Sequence, residues 1–195
     1  HGTPNQNDMS ILISSDWHSH PWSRFATTMP DGRNSRFADL MNVLDQHESI
    51  IQERRPTALV IVGDLTHRRY AVPFSTYTPI GDWLVRIRHA YDIPVIVLVG
   101  NHDIEARGTH SLGPLAWGGV TVVDEPRWIT LPGYGLARFV PYTPGDAVID
   151  ACRGDGPARS DGSDSTIFLH YALDGKVLDN EYAVPSALRV DDVAH

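Results

Sequence analysis

Val95-Ile96-Val97-Leu98-Val99-Gly100-Asn101-His102-Asp103 is the stretch on which the fold turns. Five consecutive apolar residues, four of them β-branched, have the length and composition of a buried strand. They end on residues of a different kind. Glycine permits close backbone approach or an unusual dihedral, asparagine offers a neutral carbonyl oxygen, and His102 followed by Asp103 has the makings of an oriented imidazole. A plain loop turn is the bland alternative, and it is the weaker reading of these four residues.

Three more runs behave the same way. Ile11-Leu12-Ile13-Ser14-Ser15 leads into Asp16-Trp17-His18, Ala58-Leu59-Val60-Ile61-Val62 into Gly63-Asp64, and Thr166-Ile167-Phe168-Leu169 into His170. Taken singly, Asp16-x-His18 is more often a cap or a satisfied polar pair, Asp64 an Asx turn, and His170 a core histidine. Four strand ends in one chain change that weighting. In open α/β sheets the ligand crevice lies beyond the carboxyl ends of the strands, so side chains just past several strand ends meet in one place. Carboxylates and imidazoles together favour divalent ions such as manganese, iron or zinc over a thiolate site. The pattern points to a metal-dependent hydrolase.

Between these runs the sequence predicts helices. Phe37, Leu40, Met41, Leu44 and Ile51 share one face of a helix over Ser35 to Glu53, ending before Pro56, and a second helix is expected from Pro79 to Tyr91 with Trp83, Leu84 and Ile87 facing inward. Strand, helix, strand, helix, strand through Val99 implies parallel pairing with right-handed crossovers. Three short β-rich pieces follow, Val120 to Val123, Arg127 to Thr130 and Ala137 to Val140, and suggest a second, antiparallel sheet. Thr143-Pro144 resembles an N-cap and first helical position of a short helix running to about Cys152. Arg153 to Ser165 reads as an exposed loop.

The chain of 195 residues fits one domain, expected over 9–195, with residues 1–8 as a tag remnant or loose arm. A single cysteine, Cys152, excludes an internal disulfide framework, and no apolar run has the length of a membrane span. A cytoplasmic protein is expected. The net charge of −8 has the wrong sign for holding nucleic acid over the whole surface, so any such contact must be local. Fifteen of the sixteen basic residues are arginines; Arg68-Arg69, just past Asp64, is the pair best placed to bind substrate.

Asp16-x-His18, Gly63-Asp64, Gly100-Asn101-His102-Asp103 and His170, in this order, resemble the first four motifs of the calcineurin-like metallophosphoesterase superfamily. The resemblance covers the chain from Ile11 onward. It implies an α/β fold, a β-sandwich flanked by helices in four layers (αββα), and a site for two divalent metal ions, manganese first among them, with iron, zinc or magnesium as alternatives. By the same resemblance, Asp16 and His18 would bind one ion, Asp64 would bridge, and Asn101 and His170 would bind the second. His102 would sit beside the scissile phosphate, oriented by Asp103. The superfamily's fifth motif, Gly-His-x-His, is missing. The expectation is that the domain lacks its C-terminal part, with substitution by His195, His20 or His67 as the less favoured reading; His20 and His67 are taken as loop histidines.

Within the superfamily, Ser15 to His18, Gly63 to Arg69 and Ile93 to Asp103 look most like the SbcD-type nuclease subunit, including phage-encoded forms. That resemblance implies exonuclease and endonuclease action on DNA in repair or recombination, an SbcC-type ATPase partner and, as a further option, a homodimer. A phosphodiesterase for cyclic nucleotides or other small diesters, or a phosphoprotein phosphatase, would share every ligand. Asp16-Trp17-His18-Ser19-His20 also fits the opening of a metal-dependent barrel hydrolase, against which stand the Gly-Asn-His-Asp element and the short chain. A non-catalytic binding module stays open as well.

Overall fold

The computed structural model describes residues 10–69, 71–106, 108–154 and 166–172. In chain order the elements are β1 (Ile11–Ser14), α1 (Ser35–Arg54), β2 (Ala58–Val62), α2 (Phe74–Tyr91), β3 (Val95–Leu98), β4 (Ile104–Ala106), β5 (Thr109–His110), a 3-10 helix over Gly113–Gly118, β6 (Thr121–Val123), β7 (Arg127–Leu131), β8 (Gly135–Val140), α3 (Ala147–Arg153) and β9 (Thr166–Leu169).

Strands β1, β2, β3 and β6 pair in that order, all parallel. Alternate residues of β2 and β3 face opposite sides, as a two-residue period demands. Leu59, Ile61, Val95 and Val97 pack with Leu44, Ile51, Trp83, Leu84 and Ile87 of α1 and α2. Ala58, Val60, Ile96 and Leu98 pack instead against Leu131, Ala137, Phe139 and Phe168 of a second sheet, β7-β8-β9. The far side of that sheet, through Val140, meets Val148 and Cys152 of α3. Helices, sheet, sheet and helix therefore stack in the four expected layers. Near-continuous apolar strands such as Ala58–Val62 follow from burial on both faces.

Several local expectations are corrected. Val120 to Val123 does not open the second sheet: β6 completes the first, parallel to β3. The second sheet is mixed, since β7 and β8 form an antiparallel hairpin but β9 runs parallel to β8. Helix α2 begins at Phe74, five residues before the expected Pro79, which lies inside it. An internal proline removes one backbone hydrogen bond and crowds the preceding turn. Packing of the buried Thr76 and of Tyr77, whose hydroxyl donates to the Ser111 carbonyl at 3.0 Å, holds that first turn in place. The short helix α3 starts at Ala147, because the Thr143 hydroxyl donates to the Pro141 carbonyl at 3.0 Å instead of capping. The expected arm at residues 1–8, the loop beyond Gly154 and His195 lie outside the described residues.

Candidate metal centre

The ladder between β1 and β2 does not stop where the strands do. Past the strand ends, the amides of Asp16, His18 and Ser19 donate to the carbonyls of Gly63, Asp64 and Leu65 at 3.2, 2.9 and 3.0 Å. The two loops thus run side by side and deliver Asp16 and His18 next to Asp64. Trp17, between them, turns back into the core with its ring 5.8 Å from Trp83 and its indole N–H donating to the Ser14 hydroxyl at 2.8 Å. Its neighbours are left facing the site. Asp16, His18 and Asp64 hold φ of 56°, 42° and 52°, a left-handed backbone that is uncommon outside glycine and clusters at functional positions.

Asp64 is central. Its Oδ2 lies 3.6 Å from His18 Nε2, which is itself 3.8 Å from Asp16 Oδ1. Its Oδ1 accepts the His102 amide at 2.9 Å and lies 3.5 Å from His170 Nε2. One buried carboxylate therefore turns one oxygen to Asp16 and His18 and the other to His170 and Asn101. Burial pushes the Asp64 carboxyl up, but hydrogen bonds from His170 and the His102 amide and the charges of both imidazoles outweigh it, so the group stays below its ordinary value and anionic.

Glycine makes this closeness possible. A Cβ on Gly100 would lie 2.2 Å from both the amide nitrogen and Oδ1 of Asp64, and one on Gly63 would lie 2.3 Å from His170 Nδ1. His170 Nδ1 bonds the Val62 carbonyl at 2.7 Å, and a carbonyl only accepts, so Nδ1 carries a proton. The opposite nitrogen, Nε2, then meets Asn101 Oδ1 at 3.2 Å and Asp64 Oδ1 at 3.5 Å. Three acceptors converging in this way call for a cation, a proton or a metal ion. Burial lowers the His170 imidazole, yet the Asp64 hydrogen bond, the Val62 carbonyl and the charges of Asp64 and Asp16 raise it overall. The donor set, carboxylate and imidazole with one amide oxygen, fits a divalent ion. Asp16, His18 and Asp64 bring ligand atoms within 4.8 Å of one another.

His102 has the same logic. Its Nδ1 lies 2.9 Å from the His67 carbonyl, which fixes the tautomer and points Nε2 away. The expectation that Asp103 orients His102 is therefore corrected: the His67 carbonyl does so. The Asp103 carboxylate is fully buried and is spent on the loops, accepting from the amides of Gly100, Thr66 and Leu65 at 2.9, 2.8 and 3.3 Å and from the Thr66 hydroxyl at 2.9 Å. Burial raises its pKa, against those hydrogen bonds and together with the Asp64 charge.

His67, expected to be a loop residue, stands inside the cluster. Its ring stacks on His102 at 5.3 Å and 15°, and its Nδ1 is 3.5 Å from His18 Nδ1. His18, His67 and His102 form a second group able to hold an ion. The signal in the sequence was its place three residues after Asp64, in the same short loop. Arg68 and Arg69 follow on the exposed rim. A cavity of about 720 Å³ opens over Asp16, Asp64, Asn101, His102 and His170, walled by Ile13 and Tyr142.

Among known proteins, no curated sequence matches the chain. Among solved structures, a nuclease of Pseudomonas putida, MPE, is similar at 25% identity over 69% of this chain and 54% of its own, with a TM-score of 0.40. The chain thus spans about half the length of that protein. The family model for calcineurin-like phosphoesterases matches residues 9–169, which include Asp16, His18, Asp64, Asn101 and His102 and end one residue before His170. The chain belongs to the calcineurin-like phosphoesterase family.

Proposed function

We propose that this chain is a metal-dependent phosphodiester hydrolase acting on DNA, a nuclease subunit of the SbcD type that works with an SbcC-type ATPase. The observation that carries the hydrolytic reading is the Asp64 carboxylate, with Asp16 and His18 on one oxygen and Asn101 and His170 on the other. Those five residues would hold two divalent ions. Such ions, when bound, supply an activated water and neutralise charge on the phosphate.

The protein's own groups do the rest. Asp64 stays anionic because its hydrogen bonds outweigh its burial. His102, pinned at Nδ1 by the His67 carbonyl, keeps Nε2 free to donate a proton to the leaving oxygen when the ring is charged. Acid catalysis of this kind contributes about 10²–10⁴-fold in rate. The buried Asp103 clamps the loops that carry Asp64 and Asn101, so the two ligands are held in mutual position. DNA as substrate is supported by the likeness of residues 63–69 to the SbcD pattern and by the exposed Arg68 and Arg69 beside the cluster.

The test is cleavage of a 3′-labelled linear duplex and of bis(p-nitrophenyl) phosphate, side by side, by the full-length protein in manganese, with Asp64→Asn as control. Asp64-dependent shortening of the duplex supports the nuclease. Hydrolysis of the small diester alone would move the assignment to a small-molecule phosphodiesterase, and hydrolysis of neither would sink the enzyme reading.

A further inference from the structure

We infer that the loop between β1 and α1 forms a ridge on which the bases of single-stranded DNA stack as the strand enters the site. This deepens the nuclease reading and rests on it for the identity of the polymer.

The first observation is Phe25. It is 83% exposed, holds φ at +61°, and has the Arg24 guanidinium 4.8 Å above its ring. A bulky side chain in the left-handed region is a genuine outlier, and strain of this kind is worth reading as a pointer to function. No packing in the core accounts for a ring so exposed.

The second is continuity with the reacting centre. His102 stacks on His67, and the Trp22 ring lies 4.2 Å from His67. Arg36 lies 5.7 Å over the other end of this row, at Trp22, and donates to the Arg24 carbonyl at 3.3 Å. Flat groups thus run from the proposed acid through His67 and Trp22 to Arg36, and the Arg36 hydrogen bond to the Arg24 backbone joins them to the Arg24–Phe25 pair.

The third is rigidity. The Asn34 side chain donates to the Trp22 carbonyl at 2.9 Å, and Thr27 and Ser35 exchange hydrogen bonds at 3.0 Å, which ties the loop to the first turn of α1. A ridge ordered in advance binds without spending free energy on its own ordering.

The occupant follows from the chemistry. Rings interleaved with arginines suit a polyanion with exposed π-faces, and in a chain of net charge −8 such a patch is a local exception. Single-stranded DNA offers free bases to stack, whereas a duplex keeps its bases paired.

The experiment is fluorescence anisotropy of the full-length protein in chelator, so that nothing is cleaved, with a labelled oligothymidylate of about 12 nucleotides and an abasic chain of equal length. We expect tighter binding of the thymidylate chain. Phe25→Ala, at an exposed position that does not threaten folding, should weaken it by about tenfold, toward the abasic level. Trp22→Phe, which keeps a ring in the half-buried position, should weaken it less. Equal binding of the two chains, or an unchanged affinity in Phe25→Ala, overturns the ridge. Manganese-dependent DNA cleavage alongside base-independent binding would overturn the ridge and leave the nuclease standing. Base-dependent binding without any cleavage would uphold the ridge and overturn the nuclease.

Discussion

The Asp103 carboxylate takes two hydrogen bonds from Thr66, one from its amide at 2.8 Å and one from its hydroxyl at 2.9 Å, across 37 residues of sequence. With Gly100 and Leu65 also donating, this buried group is the fastening between the loop of Asp64 and the loop of Asn101 and His102. Removing it would leave three backbone amides without their acceptor, each worth about 1–3 kcal/mol when buried. Asp103→Ala is therefore expected to lose at least about 3 kcal/mol of stability, and Thr66→Val only about 1 kcal/mol. Urea denaturation measures both, and a wild-type midpoint for Asp103→Ala would refute the fastening.

Close approach at Gly100 is the basis of a second expectation. A methyl group there meets the Asp64 amide and carboxylate, whereas one at Gly113 meets nothing within 4 Å. Overpacking of this sort costs about 1–3 kcal/mol. Gly100→Ala should lower the melting temperature and abolish the upward shift that manganese produces, and Gly113→Ala should do neither. Calorimetric scans with and without manganese give the comparison.

Metal binding and proton donation should separate in two variants. Asp64→Asn removes the charge that both halves of the site share, so manganese binding and hydrolysis are both expected to disappear. His102→Ala leaves that carboxylate in place; hydrolysis should fall by about 10²–10⁴-fold while manganese still binds. Isothermal titration beside turnover of bis(p-nitrophenyl) phosphate reads both, and full turnover by His102→Ala would remove the proton-donor role.

Away from the site, Glu48 joins α1 to α2 through both Arg86 guanidinium nitrogens, at 2.5 and 2.8 Å, and through the Tyr91 hydroxyl at 3.0 Å. The Arg86 hydrogen bond, opposed by burial and reinforced by Tyr91 and the Arg86 charge, holds the Glu48 carboxyl below its ordinary value of 4.5. A depressed acid contributes stability that is fully present above 4.5 and is lost as the pH falls through its lower folded value. Half-exposed Arg86 limits the contribution to about 0.5–1 kcal/mol. Glu48→Gln should cost that much at pH 7 and progressively less as the pH falls below 4.5, by urea denaturation across that range.

How far the sequence could be read follows from which forces are local. Apolar runs between polar turns announced β2 and β9 over the residues they occupy, and the helical period of Phe37, Leu44 and Ile51 announced α1 to within a residue. The strand-end residues Asp16, His18, Asp64, Asn101, His102 and His170 could be named because each stands next to such a run. What went unread depends on contacts distant in sequence. Nothing within Val120 to Val123 says that it pairs with β3 rather than β7, and Pro79 argues against a helix that Tyr77 and Thr76 nonetheless anchor by packing. The roles of His67 and Asp103 were equally hidden, because a carbonyl holding one ring and a carboxylate holding three amides leave no mark in residue identity.

The parallel register that continues from β1 and β2 into their loops has a consequence for folding. Sliding one strand by a single residue would move its terminal ligand by about 3.3 Å and turn it to the opposite face. An ion held by Asp16, His18 and Asp64 would then find no partner across the slip, so it would bind the correctly aligned sheet and ignore its misaligned competitors. At a hundred times its dissociation constant, such an ion adds about 2.7 kcal/mol to that one alignment. The metal that serves the chemistry would thereby also act as a proofreader of how the strands are laid together.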